Sequence, residues 1–101
     1  MFLIELFLPL DRGDATAVPS EEIEDVVSKL AARFGGATAF TRTPAKGLWE
    51  KDSALVEDRI VIVEVMTDVL DESFWADYRS RLEREFQQEH ILIRASRCQI
   101  L

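Results

Sequence analysis

Ile60-Val61-Ile62-Val63-Glu64-Val65-Met66 is the stretch on which the fold turns. β-Branched side chains dominate it. They are stiff at χ1 and pack well on a pleated surface, so the run predicts a strand, the third of the chain, spanning Leu55 to Met66. Alternation then splits its side chains. Val61, Val63 and Val65 suit the covered side of a sheet, and Ile60, Ile62, Glu64 and Met66 point the other way.

Working towards the N-terminus, Ala37 to Thr43 is rich in Thr and Phe and reads as the second strand, ended by Pro44. Residues 44–54 have no period and contain Pro44 and Gly47, which predicts a long connection. Upstream, Ile23, Val26, Val27, Leu30, Ala31 and Phe34 recur at helical spacing as one apolar stripe. Ser20 is placed to cap this helix, with Glu21 and Glu22 at the positive end of its dipole, and Gly35-Gly36 supplies a left-handed stop. Phe2 to Leu8 is an almost unbroken apolar run that reads as a central, two-sided strand. Pro9 and Asp11-Arg12-Gly13-Asp14 end it.

Towards the C-terminus, Asp71-Glu72-Ser73 opens a second helix, whose buried stripe is Trp75, Tyr78, Leu82 and Phe86. Asp77, Arg79, Arg81, Glu83, Arg84 and Glu85 give it a charged outer face. Glu89 to Ile100, centred on Ile91, Leu92 and Ile93, is the last strand. The order β-α-β-β-α-β predicts an α+β ferredoxin-like fold over residues 1–101 as one domain. The sheet is four-stranded and antiparallel, in the order 4-1-3-2, with both helices on one face.

Composition bounds the chemistry. The chain has 101 residues, 12 Lys+Arg against 19 Asp+Glu, and a formal net charge of −7. Hydrophobic residues make up 48% and charged residues 31%, the profile of a folded soluble domain. Roughly two-thirds of the chain's surface is buried at this size, enough for a core without staples. The acidic balance speaks against nucleic acid and against an anionic membrane surface. With one Cys (Cys98) and one His (His90), an intrachain disulfide and Cys/His zinc sites are excluded, and the charge runs show no ordered loop for a hard cation; no metal is expected. Phe2 to Leu10 is too short to span a bilayer and lacks a basic leader, which places the expected protein in the cytoplasm. No Gly-rich loop cradles a phosphate, and no cofactor is called for.

The unusual feature is the sheet face turned away from the helices. Alternation places Leu3, Phe7, Phe40, Ile60, Ile62, Met66 and Leu92 there. A monomer rarely leaves so much contiguous apolar surface wet. Hiding ~600 Å² of it contributes on the order of 15 kcal/mol before association costs, at ~25 cal/mol per Å². A homodimer or a protein partner is therefore expected to cover it. Four charges share this face: Glu5, Glu64, Arg42 and Arg94. They form either a ligand or catalytic cluster, in which desolvation tunes a Glu, or a set of ion pairs that fix register between subunits. His90 is a candidate general base or an exposed residue ahead of the last strand. Trp49, beside Gly47 and Leu48, is a candidate lid or plain packing. Cys98 lacks the cationic setting of a reactive thiol. Strand 3 lacks the aromatics of RNA-binding sheets.

Gly47-Leu48-Trp49, the Val56-Glu57-Asp58-Arg59 run before strand 3, and Tyr78 followed by Phe86-Gln87-Gln88-Glu89-His90-Ile91-Leu92 together resemble small bacterial families without assigned chemistry. These share a Gly-x-Trp loop and a helix ending in Phe-x-Gln-Glu before the last strand. The likeness covers roughly residues 34–95, and it implies export, against the cytoplasmic expectation. At fold level the chain is also similar to dimeric α/β-barrel proteins, which include cofactor-free isomerases and monooxygenases as well as binding modules. Two functions are therefore expected: a homo-oligomeric interaction domain, with a small anionic or apolar ligand as a further partner, or a cofactor-independent enzyme. In the second, Glu5, Glu64 or His90 would be the catalytic group, and Arg42, Arg94 and Trp49 would hold the ligand.

Overall fold

Strands β1 (Phe2–Pro9), β2 (Thr38–Lys51), β3 (Ala54–Thr67) and β4 (Ile93–Arg97) alternate with helices α1 (Ser20–Phe34) and α2 (Glu72–Glu85) in a computed structural model. It describes residues 1–52 and 54–101; the side chains of Arg42, Thr43, Pro44, Ala45, Trp49, Lys51, Val56 and Glu57 lie outside the described residues. The sheet order is β2-β3-β1-β4 and every pairing is antiparallel, the order and sense read from the sequence. The architecture is α+β and ferredoxin-like.

The core forms where the inward sides of the two central strands meet the helices. Ile4, Leu6 and Leu8 of β1 and Val61, Val63 and Val65 of β3 pack against Ile23, Val26 and Leu30 of α1 and Trp75, Tyr78 and Leu82 of α2. Phe86, just past α2, is fully buried. Phe34, Phe74, Trp75 and Tyr78 build an aromatic cluster in which Phe34 stacks on Trp75 at 5.2 Å and Arg33 lies over Phe74 at 3.9 Å. This ties the end of α1 to the start of α2. Burial pushes the Tyr78 hydroxyl above its ordinary pKa.

Several local expectations need correction. Ser53 lies outside the described residues, and residues 44–52 and Ala54 are not an irregular connection. β2 continues through them and pairs with β3 as far as Lys51 and Ala54, with Asp52 in the left-handed turn conformation at φ 51°. Pro44 and Gly47 hid this strand. The proline falls where β2 slips against β3, between Phe40 and Ala45, and β2 is an edge strand, so a missing N–H is tolerated there. β4 is shorter than Glu89–Ile100. Its pairing with β1 runs from Phe2 opposite Arg97 to Leu6 opposite Ile93, with single bonds to Leu92 and Cys98 beyond. Ser20 begins α1 but makes no capping bond; the preceding residue, Pro19, occupies the cap position. Gly35 stops α1 at φ 82°, as expected.

β1 ends at Ile60 of β3, so Ala54–Arg59 and Lys46–Lys51 form a two-stranded ribbon beyond the sheet, about 20 Å long at ~3.3 Å per residue. On one side of this ribbon Leu48 and Leu55 are diagonal neighbours, and both are exposed.

The loop after β1 is knitted to the end of α2. Arg12 pairs with Glu22 and donates to the Glu85 carbonyl at 2.9 Å, and Gln88 donates to the Asp11 carbonyl at 3.0 Å. A Cβ on Gly13 would come within 2.2 Å of the Gln87 carbonyl oxygen, a contact no side chain tolerates. Gly13→Ala is therefore expected to lower the urea midpoint clearly, and Phe86→Ala to cost about 3–5 kcal/mol in the same measurement.

α2 is capped by Asp71, which accepts from the Phe74 N–H at 3.1 Å and the Ser73 hydroxyl at 3.0 Å. These bonds hold its carboxyl below the usual carboxylate range. A carboxyl lowered on folding stabilises the fold above its unfolded pKa of ~3.9 and loses that contribution as pH falls through the lowered value. Asp71→Ala should therefore melt below the unsubstituted protein at pH 7, and the gap should close in strong acid.

Candidate functional site

The register fixes which side chains share the open face and arranges them in rows across the sheet. Met66 of β3 lies opposite Leu3 of β1, which lies opposite Ser96 of β4. One step along the strands comes the polar row: Thr38 opposite Glu64, Glu64 opposite Glu5, Glu5 opposite Arg94. The next row is Phe40, Ile62 and Phe7, continued by Leu92, whose carbonyl accepts the Phe7 N–H at 3.0 Å. A single polar row is thus framed by apolar ones.

Phe40 (51% exposed), Met66 (47%) and Leu92 (42%) are open, while Leu3, Phe7 and Ile62 are half-buried. Ile60 falls on this face by register, but the expectation that it is available to a partner is corrected: it is only 7% exposed within the single chain.

Within the polar row, the Arg94 Nε donates to Glu5 Oε1 at 2.9 Å, and the Arg94 guanidinium lies 4.9 Å from the Phe7 ring centroid. One cation therefore serves one carboxylate and one aromatic face. Glu64 has no such partner: it is half-buried, and it makes no hydrogen bond or ion pair among the described residues. Its cross-strand neighbour is Glu5, and like charges directly opposite one another are destabilising.

The structure therefore brings Glu5, Glu64 and Arg94 together, as the sequence predicts, but not the other candidates. Arg42 and Trp49 have side chains outside the described residues. His90 is exposed in the connection before β4. Cys98 is a free, half-buried thiol just past β4. No group of three or more His, Cys, Asp or Glu side chains suited to a metal ion occurs among the described residues. No helix among them is long and apolar enough to cross a membrane.

Sequence reasoning missed a groove of about 250 Å³ between α2 and β4 on the helix side, lined by Ile4, Trp75, Ala76, Arg79, Ile93 and Ala95. Ala95 has the inward parity of its strand yet is exposed, because α2 leaves that edge uncovered. Alternation alone carries no signal of how far a helix overhangs an edge strand.

No protein-family model matches the chain, and no curated protein is similar to it. Solved structures are. A phage SAM lyase in complex with S-methyl-5'-thioadenosine is 18% identical, with a TM-score of 0.64, over 94% of this chain and 79% of its own. A phage SAM lyase in the apo state is 17% identical, with a TM-score of 0.60, over 94% and 78%. A point mutant of CutA1 from Pyrococcus horikoshii is 16% identical, with a TM-score of 0.62, over 100% and 86%. At such identities the likeness shows a shared fold. The resemblance to bacterial families carried by Gly47-Leu48-Trp49 and Phe86 to Glu89 finds no family match, and what the comparisons support is the small α+β architecture.

Because Glu64 opposes Glu5 without a counter-ion among the described residues, Glu64→Gln should stabilise the isolated chain. The expected gain is on the order of 0.2–1 kcal/mol, read as a higher urea midpoint in dilute, low-salt solution.

Proposed function

We propose that this chain is a self-associating interaction domain that works through its open sheet face. The observation that supports the reading is the exposure of Phe40, Met66 and Leu92 around a half-buried apolar centre of Leu3, Phe7 and Ile62. A side chain such as Leu92 gains from leaving water, and the face is ordered by register, so a complementary surface meets a preformed pattern. The covering surface is a second copy, which creates a homo-oligomer; a small apolar or anionic ligand held between copies would have Arg94 as its polar anchor. Sedimentation at micromolar concentration is expected to show an oligomer, and Leu92→Asp combined with Phe40→Asp to show a folded monomer. A well-behaved monomer in the unsubstituted protein would remove the reading.

A second reading is a small cofactor-independent enzyme of isomerase or monooxygenase type. It is favoured by one observation: Glu64 stands in an apolar frame without a partner among the described residues, which leaves its carboxylate available to accept a proton. Arg94 would donate hydrogen bonds to a polar group of the substrate. S-Methyl-5'-thioadenosine is the first compound to titrate, since a lyase of the same fold is found in complex with it. Under this reading calorimetry should give a saturable signal, and Glu64→Gln, which removes the base but keeps the shape, should still bind. A flat titration at millimolar concentration would dismiss that ligand class.

A further inference from the structure

We propose that the cation Glu64 lacks among the described residues is supplied by Arg94 of a second copy of this chain, and that this pairing sets the orientation in which two copies meet. The inference rests on the reading that another copy covers the open face.

Across the sheet the polar row runs Thr38, Glu64, Glu5, Arg94, one residue from each of β2, β3, β1 and β4. Face-to-face copies with near-aligned strands lay polar row on polar row with the two-fold axis either across the strands or along them, and an axis along the strands sets Glu64 against Arg94 when it passes over β1. In the first, the two-fold axis runs across the strands. Each strand then faces its own counterpart, so Glu64 meets Glu64 and Arg94 meets Arg94, and every charge in the row meets its like. In the second, the axis runs along the strands and passes over β1. The order across the sheet is then reversed, β3 of one copy faces β4 of the other, and Glu64 of each lies against Arg94 of the other. Like-charge contacts across an interface are strongly unfavourable, so the charge order selects the second arrangement.

The apolar rows fit the same choice. With the axis over β1, Ile62 lies against Leu92 of the other copy and Phe7 against its own counterpart, so apolar residues cover apolar residues. Glu5 also faces its counterpart, with each carboxylate already held by its own Arg94 at 2.9 Å. That bond uses Nε, and the terminal guanidinium nitrogens make no bond to the described residues. Arg94 keeps 58% of its side chain exposed, so the free end of its fork is open to a second carboxylate. Sheets pack about 10 Å apart, a gap that a Glu and an Arg reaching from opposite faces bridge.

The test is a charge exchange followed by sedimentation equilibrium, with circular dichroism confirming that each variant is folded. Glu64→Arg and Arg94→Glu, made singly, are each expected to weaken association by at least about tenfold. The double variant Glu64→Arg/Arg94→Glu restores the pattern with signs exchanged, and Glu5 regains a neighbouring cation at position 64. It should therefore recover to within about threefold of the original. Glu64→Gln serves as the milder probe, weakening association without introducing a new charge. A stable oligomer that Glu64→Arg leaves unchanged, or that the double variant fails to rescue, overturns the pairing while the interface reading stands. A monomeric parent protein overturns both.

Discussion

The register of β1 against β3 is the constraint on which the rest depends. Leu6 opposite Val63 and Ile4 opposite Val65 are the centre of the core, and they are almost completely shielded from solvent. Side-chain direction alternates strictly, so the same register that seats these pairs beneath the helices forces Phe7 opposite Ile62 and Glu5 opposite Glu64 onto the other side. Slipping either strand by one residue would put a carboxylate on the helix side and core aliphatic side chains in water. The core and the outer pattern are therefore one decision, made once, by two strands.

That coupling explains why so much was legible in the residues. The helical stripe ending in Phe34, the stripe from Trp75 to Phe86, and the β-branched run of Ile60 to Met66 each carry a period that admits one reading. The open face follows from them by parity, and Glu5, Glu64 and Arg94 were placed together on that ground. What escaped was chemistry without a period. Pro44 and Gly47 look like strand breakers until the slip in pairing between Phe40 and Ala45 is known, and such a slip depends on a partner strand far along the chain. Ser20 has the right chemistry for a cap but stands one position inside the helix. The shielding of Ile60 and the exposure of Ala95 depend on how far neighbouring elements reach, which no local pattern records.

The two sides of the sheet also differ in how they treat charge. On the helix side the polar groups are peripheral: Arg12 reaches Glu22 and the Glu85 carbonyl, and Asp71 caps α2, so these charges are settled within the chain. On the open side, among the described residues, the arrangement is unfinished, with Glu5 and Arg94 matched and Glu64 left over. Evenly balanced charges would be at rest in water, whereas an apolar frame around an unmatched carboxylate gives any covering surface something definite to satisfy. On the proposed reading, the greasy rows supply the drive to associate and the leftover charge the selectivity, a division of labour common at interfaces.

The ribbon formed by the ends of β2 and β3 carries its own consequence. β3 is one unbroken strand from Ala54, out in solvent, through the buried Val61, Val63 and Val65 to Thr67 at the far end of the sheet, and Glu64 lies along it. The ribbon is thus a handle on the central strand. Whatever grips its tip takes hold of the same backbone that positions the unmatched carboxylate, with no hinge of irregular chain between the two.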